Sequence, residues 1–367
     1  MKFEILKENI VKELSQAEKI TGKNLTLPVL SAVLIEAGKN TITIRATNLD
    51  LGIELVTPAK VIEMGKVAIS ARIILSFLNN IKDGEKLEFE LVGGVLKINS
   101  SFSTVSINTF PSEEFPLIPR IEAETEFNIK PEDFVSGLRS VVYSSSVSSM
   151  KPELASVYIY KNGEGDLVFV ATDSFRLAEK KIKAKGIPND IKILIPFKNA
   201  TEIIRVCEGI ANEINISFNK NQLSISAGNL YMVSRVVEGV FPDYKQILPK
   251  AFSTEIICLK QDLMNALKII NVFSDKFNQV NLSLDEAKKE FYITSKNNDV
   301  GETQNTVPVT FTGEGIKMNF NYRYIVDSFQ SIPVDSMSFN FSGIGKPLVI
   351  KGISDSSFLY LVMPMNK

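Results

Sequence analysis

Histidine is absent from this 367-residue chain. That removes Ser-His-Asp and Cys-His nucleophile arrangements, His-ligated zinc and His acid/base chemistry. Cysteine occurs twice, at Cys207 and Cys258. The pair forms no metal or disulfide spacing, so a reducing cytoplasm is the expected home. The longest apolar run is Phe358 to Met363, far short of the roughly 20 residues that span a bilayer. The opening MKFEILKENI carries no signal-peptide stretch. No P-loop and no GxGxxG is present. Ser148–Lys151 and Ser217–Lys220 match Ser-x-x-Lys, but neither has its companion motifs, and such matches arise by chance in a Ser/Lys-rich chain. Net charge is near zero, with 41 Lys+Arg against 42 Asp+Glu. Nucleic-acid binding through bulk charge alone is thereby excluded, while a local basic face is not.

What the chain does have is repetition. Its length suits two or three domains, and 44% hydrophobic with 23% charged residues is an ordinary globular balance. Phe3-x-Ile5, Glu8-Asn9-Ile10-Val11, Leu14 and Ala17 recur as Phe127-x-Ile129, Glu132-Asp133-Phe134-Val135, Leu138 and Val141. They recur again as Ile256-x-Cys258, Gln261-Asp262-Leu263-Met264, Leu267 and Ile270. Each copy reads as a short strand entering an amphipathic helix. Asn9, Asp133 and Asp262 fall where a cap or first-turn acceptor is useful. A second block recurs at Ile69–Ile74, Ile195–Ala200 and Phe320–Ile325, again a strand end entering a helix. Alternating runs such as Leu87–Leu91, Ile214–Phe218 and Met337–Phe341 read as half-buried antiparallel strands. Phe110-Pro111, Phe241-Pro242 and Met363-Pro364 close the three copies. The expected organisation is α+β: three units at 1–122, 123–252 and 253–367, each with two helices packed on antiparallel sheets.

Charge follows the repeat. Arg72, Lys198 and Arg323 occupy one position of the second block. In the first block Arg139 and Lys268 coincide, and Lys12, Lys19 and Lys23 lie near the first helix. Cations on a polar helix face are usually just solvated. Repeated at matched positions, they suit a surface that meets phosphates and not bases.

The chain resembles the bacterial DNA polymerase III beta subunits, the replication sliding clamps. The resemblance runs along the full length. It is carried by Thr26-Leu27-Pro28-Val29-Leu30, by Ala171-Thr172-Asp173-Ser174-Phe175-Arg176-Leu177-Ala178, by Phe241-Pro242-Asp243-Tyr244 and by Val362-Met363-Pro364-Met365. It implies three tandem DNA-clamp domains and two protomers closed head to tail into a ring around duplex DNA, contacted without sequence readout. Lys23, Asn24, Arg72, Arg139, Lys151, Lys198 and Arg323 are then the DNA-facing candidates. The interface candidates are Val105 and Ile107, in a strand over Phe102–Ile107, together with Val272 and Phe273. A hydrophobic groove for short partner peptides is implied at Leu154, Thr172, Ser174, Phe175, Arg176, Leu177, Pro242, Ile247, Asn321, Tyr324, Leu361, Met363, Pro364 and Met365. The implied partners are a clamp loader and the replicative and repair DNA polymerases, with no cofactor, no metal, no membrane and no catalytic role. Three departures stand out. The family commonly has Gly-His at Ser174-Phe175, Arg-Leu at Asn366-Lys367, and a Gly shortly after Leu154, where this chain has Ala155-Ser156-Val157. Two other classes remain as alternatives: a repeat-built scaffold that binds proteins without encircling DNA, and a metal-dependent nucleic-acid enzyme using carboxylates such as Glu113-Glu114 and Asp173.

Overall fold

Each copy of the first block folds as its spacing reads. The computed structural model describes residues 1–22 and 27–365. Six α-helices occur among them: α1 (Lys7–Glu18), α2 (Ala71–Leu78), α3 (Pro131–Val141), α4 (Phe197–Cys207), α5 (Lys260–Val272) and α6 (Tyr322–Ser328). The strands Lys2–Leu6, Thr125–Ile129 and Thr254–Leu259 lead into α1, α3 and α5. The strands Gly65–Ser70, Lys192–Pro196 and Ile316–Asn321 lead into α2, α4 and α6. In α1 the buried Ile10, Leu14 and Ala17 keep the i, i+4, i+7 spacing. Asn9, Asp133 and Asp262 are each the third residue of their helix, inside the first turn but two places past its start, and no side chain caps α1 or α5. A side-chain cap occurs at α6, where Asn321 accepts from the backbone N–H of Arg323 at 3.0 Å.

The strands assemble into four antiparallel sheets with five, eight, nine and four members. Gly93 and Gly94 join Lys86–Val92 to Val95–Asn99, both with positive φ (56° and 80°). Two left-handed residues give a turn whose twist matches the strands. Inside α3, Gly137 leaves room for the Phe169 ring, which would lie 2.4 Å from a Cβ there. The strand Leu167–Thr172 is buried along its whole length, as its continuous apolar reading requires.

By backbone contact the chain gathers into two units. One holds Met1–Val135, Lys185–Pro188 and Lys198–Val236; the other holds Ser136–Ala184, Asn189–Phe197 and Val237–Lys367. The reason is in the ladders. The first unit's eight-stranded sheet pairs Leu51–Pro58 with Leu230–Arg235, and the second unit's nine-stranded sheet pairs Arg176–Ile182 with Phe358–Val362. Half of the middle repeat is therefore zipped to the first repeat and half to the third.

One buried charge sits against this packing. Glu13 on α1 is only 4% exposed. Its Oε1 accepts from Asn229 Nδ2 at 3.0 Å, and its Oε2 has no partner. Burial holds its carboxyl above the usual carboxylate range. A raised folded pKa favours folding at low pH, and that contribution is lost as pH rises through the raised value. Glu13→Gln should therefore gain about 1 kcal/mol of stability near neutral pH. Urea denaturation compared at about pH 5 and about pH 8 should show a flatter pH dependence for the variant.

Candidate functional site

The groove candidates converge on one end of the nine-stranded sheet. Arg176 pairs with Val362, and Leu177 with Leu361. Between the strands Leu167–Thr172 and Arg176–Ile182 runs a tight turn. Asp173 Oδ1 accepts from the backbone N–H groups of Phe175 and Arg176, at 2.9 and 3.0 Å. Ser174 sits there with φ of 77°, a left-handed conformation, and donates its N–H to Thr172 Oγ1 at 3.2 Å. Glycine takes that conformation without strain, and this chain places Ser there. The turn presents Phe175 at 61% exposure. The Met363 N–H donates to the Phe175 carbonyl at 2.8 Å, and that of Met365 to Asn319 at 2.8 Å. The tail Met363-Pro364-Met365 is thus pinned beside the turn, each residue half-buried.

Beneath it lies an apolar cluster of Leu177, Leu361, Phe241, Tyr244, Val168 and Val349, with Met363 packed against it. Leu177 and Leu361 are 0% and 1% exposed. They are core and offer no surface to a ligand, which corrects the expectation that they line an open slot. The apolar surface comes from Phe175, from exposed Pro242 and from Ile247, 48% exposed on the short 3-10 turn Tyr244–Ile247. Tyr244 anchors that turn by donating to the buried Glu179 carboxylate, and its hydroxyl lies 2.8 Å from that of Tyr160. Leu154 is buried in the turn before Ser156–Lys161, at the same sheet end but two strands from Arg176.

Arg176 differs most from expectation. Its guanidinium donates to Asp173 at 3.0 Å, to Asp327 and to the Tyr143 carbonyl at 2.6 Å, and lies 4.6 Å from the Tyr324 ring. Burial opposes its charge; the facing Tyr360, Asp173 and Asp327 outweigh it and hold its pKa above the ordinary arginine value. Each of its three nitrogens donates within the protein, so it is a structural pin beside the groove candidates. Tyr143 and Asp327 were not legible as partners, because both are remote in sequence. Ile344 is a further residue that the motifs miss. It is 84% exposed in the loop between Ser336–Phe341 and Leu348–Gly352. Leu348 pairs with Val362, which puts that loop at the groove's end of the sheet.

The cation candidates fall as the repeat demands. Arg72, Lys198 and Arg323 are each the second residue of their helix, all exposed, and none forms an ion pair among the described residues. Arg139, in the last turn of α3, and Lys151 are exposed. Lys19 Nζ donates to the Arg205 carbonyl at 3.1 Å, which joins the C-terminal ends of α1 and α4. Lys23 and Asn24 lie outside the described residues, as do Asn366 and Lys367. At the interface candidates, the strand runs Thr104–Asn108. Val105 is half-buried, whereas the Ile107 side chain is 4% exposed and belongs to its own core. Val272 ends α5 exposed, and Phe273 lies beside Gly301. Among the described residues no group of three or more metal-ligating side chains occurs, and no helix is long and apolar enough to cross a membrane.

Three family models cover nearly the whole chain in order. They describe the N-terminal domain of the DNA polymerase III beta subunit over residues 1–119, its central domain over 128–243 and its C-terminal domain over 245–366. The chain belongs to the DNA polymerase III beta subunit family. Clamps of this family are ring-forming homodimers, processivity factors for DNA replication with no catalytic activity of their own. The beta sliding clamp of Proteus mirabilis is 26% identical over 373 residues, covering 100% of both chains. That of Escherichia coli K12 is 25% identical over 374 residues, again covering 100% of both. The crystal structure of the DNA polymerase III beta subunit from Thermotoga maritima matches with a TM-score of 0.93 at 26% identity, covering 100% of this chain and 99% of that one. The sliding clamp of Bacillus subtilis, at 24% identity and TM-score 0.92 with the same coverage, shares the fold.

If Arg176 is a pin, replacing it damages the protein itself. Arg176→Ala should lower stability by about 3 kcal/mol, because Asp173 and Asp327 lose their buried partner. Arg176→Lys should recover less than half, since an ammonium cannot supply the planar fork. Urea denaturation reads both; an unaltered midpoint for Arg176→Ala would show the network to be idle.

Proposed function

We propose that two copies of this chain close head to tail around duplex DNA and hold polymerases and a clamp loader through short peptides seated in the groove. One observation carries the ring. Each repeat contributes two half-sheets, and an outer strand of one half-sheet pairs with the next repeat. Leu51–Pro58 pairs with Leu230–Arg235, and Arg176–Ile182 pairs with Phe358–Val362. Their counterparts are Gly301–Val307 and Thr104–Asn108, edge strands of the four- and five-stranded sheets, each with one partner among the described residues. Unpaired edges invite another chain, and a heterologous contact forms a ring when its rotation closes.

The equivalence also gives a register. Tracing the ladders across each repeat aligns Val105 with Met232 and Tyr360, and Thr303 with Ile53 and Ala178. Met232 opposes Ile53, and Tyr360 opposes Ala178. Val105 of one copy then opposes Thr303 of the next, and Thr104 opposes Gln304. Val272 and Phe273 flank that seam.

In this reading Arg72, Arg139, Lys151, Lys198 and Arg323 meet the phosphates. Weak, mobile contacts suffice, because a closed ring stays on DNA by linkage and sequence readout is not needed. The modules follow the repeat, at 1–122, 123–252 and 253–367, and the protein works in the cytoplasm. In the groove Phe175, Pro242, Ile247 and the adaptable Met363 and Met365 receive Leu or Phe anchors of several peptides in turn. Thr172, Ser174, Pro364, Asn321 and Tyr324 frame it, with Ile344 beside it and Leu154, Leu177 and Leu361 as its buried support.

Paired cysteines test the seam. Burial pushes the Cys207 and Cys258 thiols up to about 12, so introduced thiols react alone. Thr104→Cys with Gln304→Cys should give a covalent dimer on mild oxidation, since opposed residues meet the Cα distance a disulfide needs. Ser106→Cys with Thr306→Cys should not. The reverse outcome, or a monomer by light scattering at micromolar concentration, contradicts the ring. For the groove, Ile247→Asp should abolish capture of a labelled Leu-Phe peptide with the urea midpoint unchanged.

A further inference from the structure

The short helix α6 carries two kinds of candidate at once. Its second residue, Arg323, is exposed and without an ion pair among the described residues. Two of its neighbours, the cap Asn321 and Tyr324, are groove candidates. Asn321 caps the helix by accepting the Arg323 N–H at 3.0 Å. Tyr324 lies 4.6 Å from the Arg176 guanidinium, and Asp327, one turn on, is paired with the same group. Arg176 in turn is the neighbour of Phe175 and is fastened to Asp173 and to the Tyr143 carbonyl. Asn319, just before the cap, receives the N–H of Met365 from the groove's tail.

Seven residues form too short a helix to persist unaided. The order of α6 therefore rests on its contacts: Tyr322, Ile325 and Ser328 in the core, the Tyr322 N–H donated to the Asn278 carbonyl at 2.9 Å, the Asn321 cap and the Arg176 pair. The cap and the pair belong to the groove. A ligand there that touches Asn321 or Tyr324 adds contacts to the ordered helix and none to a frayed one. By linkage it then favours whatever else prefers the ordered helix, including a phosphate held by Arg323.

We propose that groove occupancy and phosphate contact at Arg323 are coupled through α6, so that a bound peptide tightens the hold on duplex DNA. The inference rests on the groove reading above, and adds to it a direction of regulation: an engaged partner makes the protein grip, and a vacant groove leaves it freer to slide.

The test uses the full-length protein, a fluorescent short duplex at low salt and a short synthetic peptide ending in Leu-Phe. Saturating peptide should lower the duplex Kd by about fivefold, within the usual span of such couplings. The duplex should raise peptide affinity by the same factor. Asp327→Asn, which removes the charge that Arg176 holds on α6, should bring both ratios to near one. A peptide that binds while the duplex Kd stays unchanged overturns the coupling and leaves the groove standing. Failure of the wild type to bind the peptide overturns both. A fivefold ratio that persists in Asp327→Asn overturns the route through Arg176.

Discussion

Unpaired strand edges govern this molecule. A β-strand with one partner leaves a row of N–H and C=O groups unmet by protein, and folds dispose of such rows by pairing, covering or closing them. Here each repeat makes two half-sheets, and neighbouring repeats join theirs edge to edge. The joins Leu51–Pro58 with Leu230–Arg235 and Arg176–Ile182 with Phe358–Val362 build sheets of eight and nine strands. The four- and five-stranded sheets are the halves that the chain cannot join to itself by the same rule. In the proposed ring a second copy supplies the missing half, and the ring closes because the rotation of that contact returns to the first copy.

The groove depends on the same joins. The strands Arg176–Ile182 and Phe358–Val362 set the Phe175 turn beside the Met363 tail, and the Met363 N–H reaches the Phe175 carbonyl because of that register. Arg176 then ties the turn to α6 through Asp327 and Tyr324. A half-buried guanidinium that donates from all three of its nitrogens fixes geometry through several directional bonds at once. Phe175, Pro242 and Ile247 stand exposed beside it.

Much of this was legible in the residues, and the unread part has a common cause. Strand-then-helix blocks could be read because both periods are local: Phe3-x-Ile5 alternates, and Ile10, Leu14 and Ala17 share one helix face. The motif around Thr172–Leu177 pointed to Phe175. Residue types could not show which groups answer which at long range. Leu177 and Leu361 look like pocket residues in a motif, yet they face each other across a ladder and are sealed. Arg176 reads as a groove residue, and its pairing with Asp327, 151 positions away, has no local signal. Asn9 and Asp262 read as caps or first-turn acceptors, and because the helices begin two residues earlier they fall in the first turn and past the capping position. The division into two packed units was hidden likewise, since it rests on ladders between repeats.

The central claim is that the protein is held on DNA by topology. It is tested most directly by loading it on a nicked DNA circle, raising the salt and then cutting the circle. Retention on the circle in high salt, when exposed cation–phosphate contacts are screened, followed by release on linearisation, is the result this account predicts. Loss from the intact circle at high salt, or equal retention on circle and linear DNA, would contradict it.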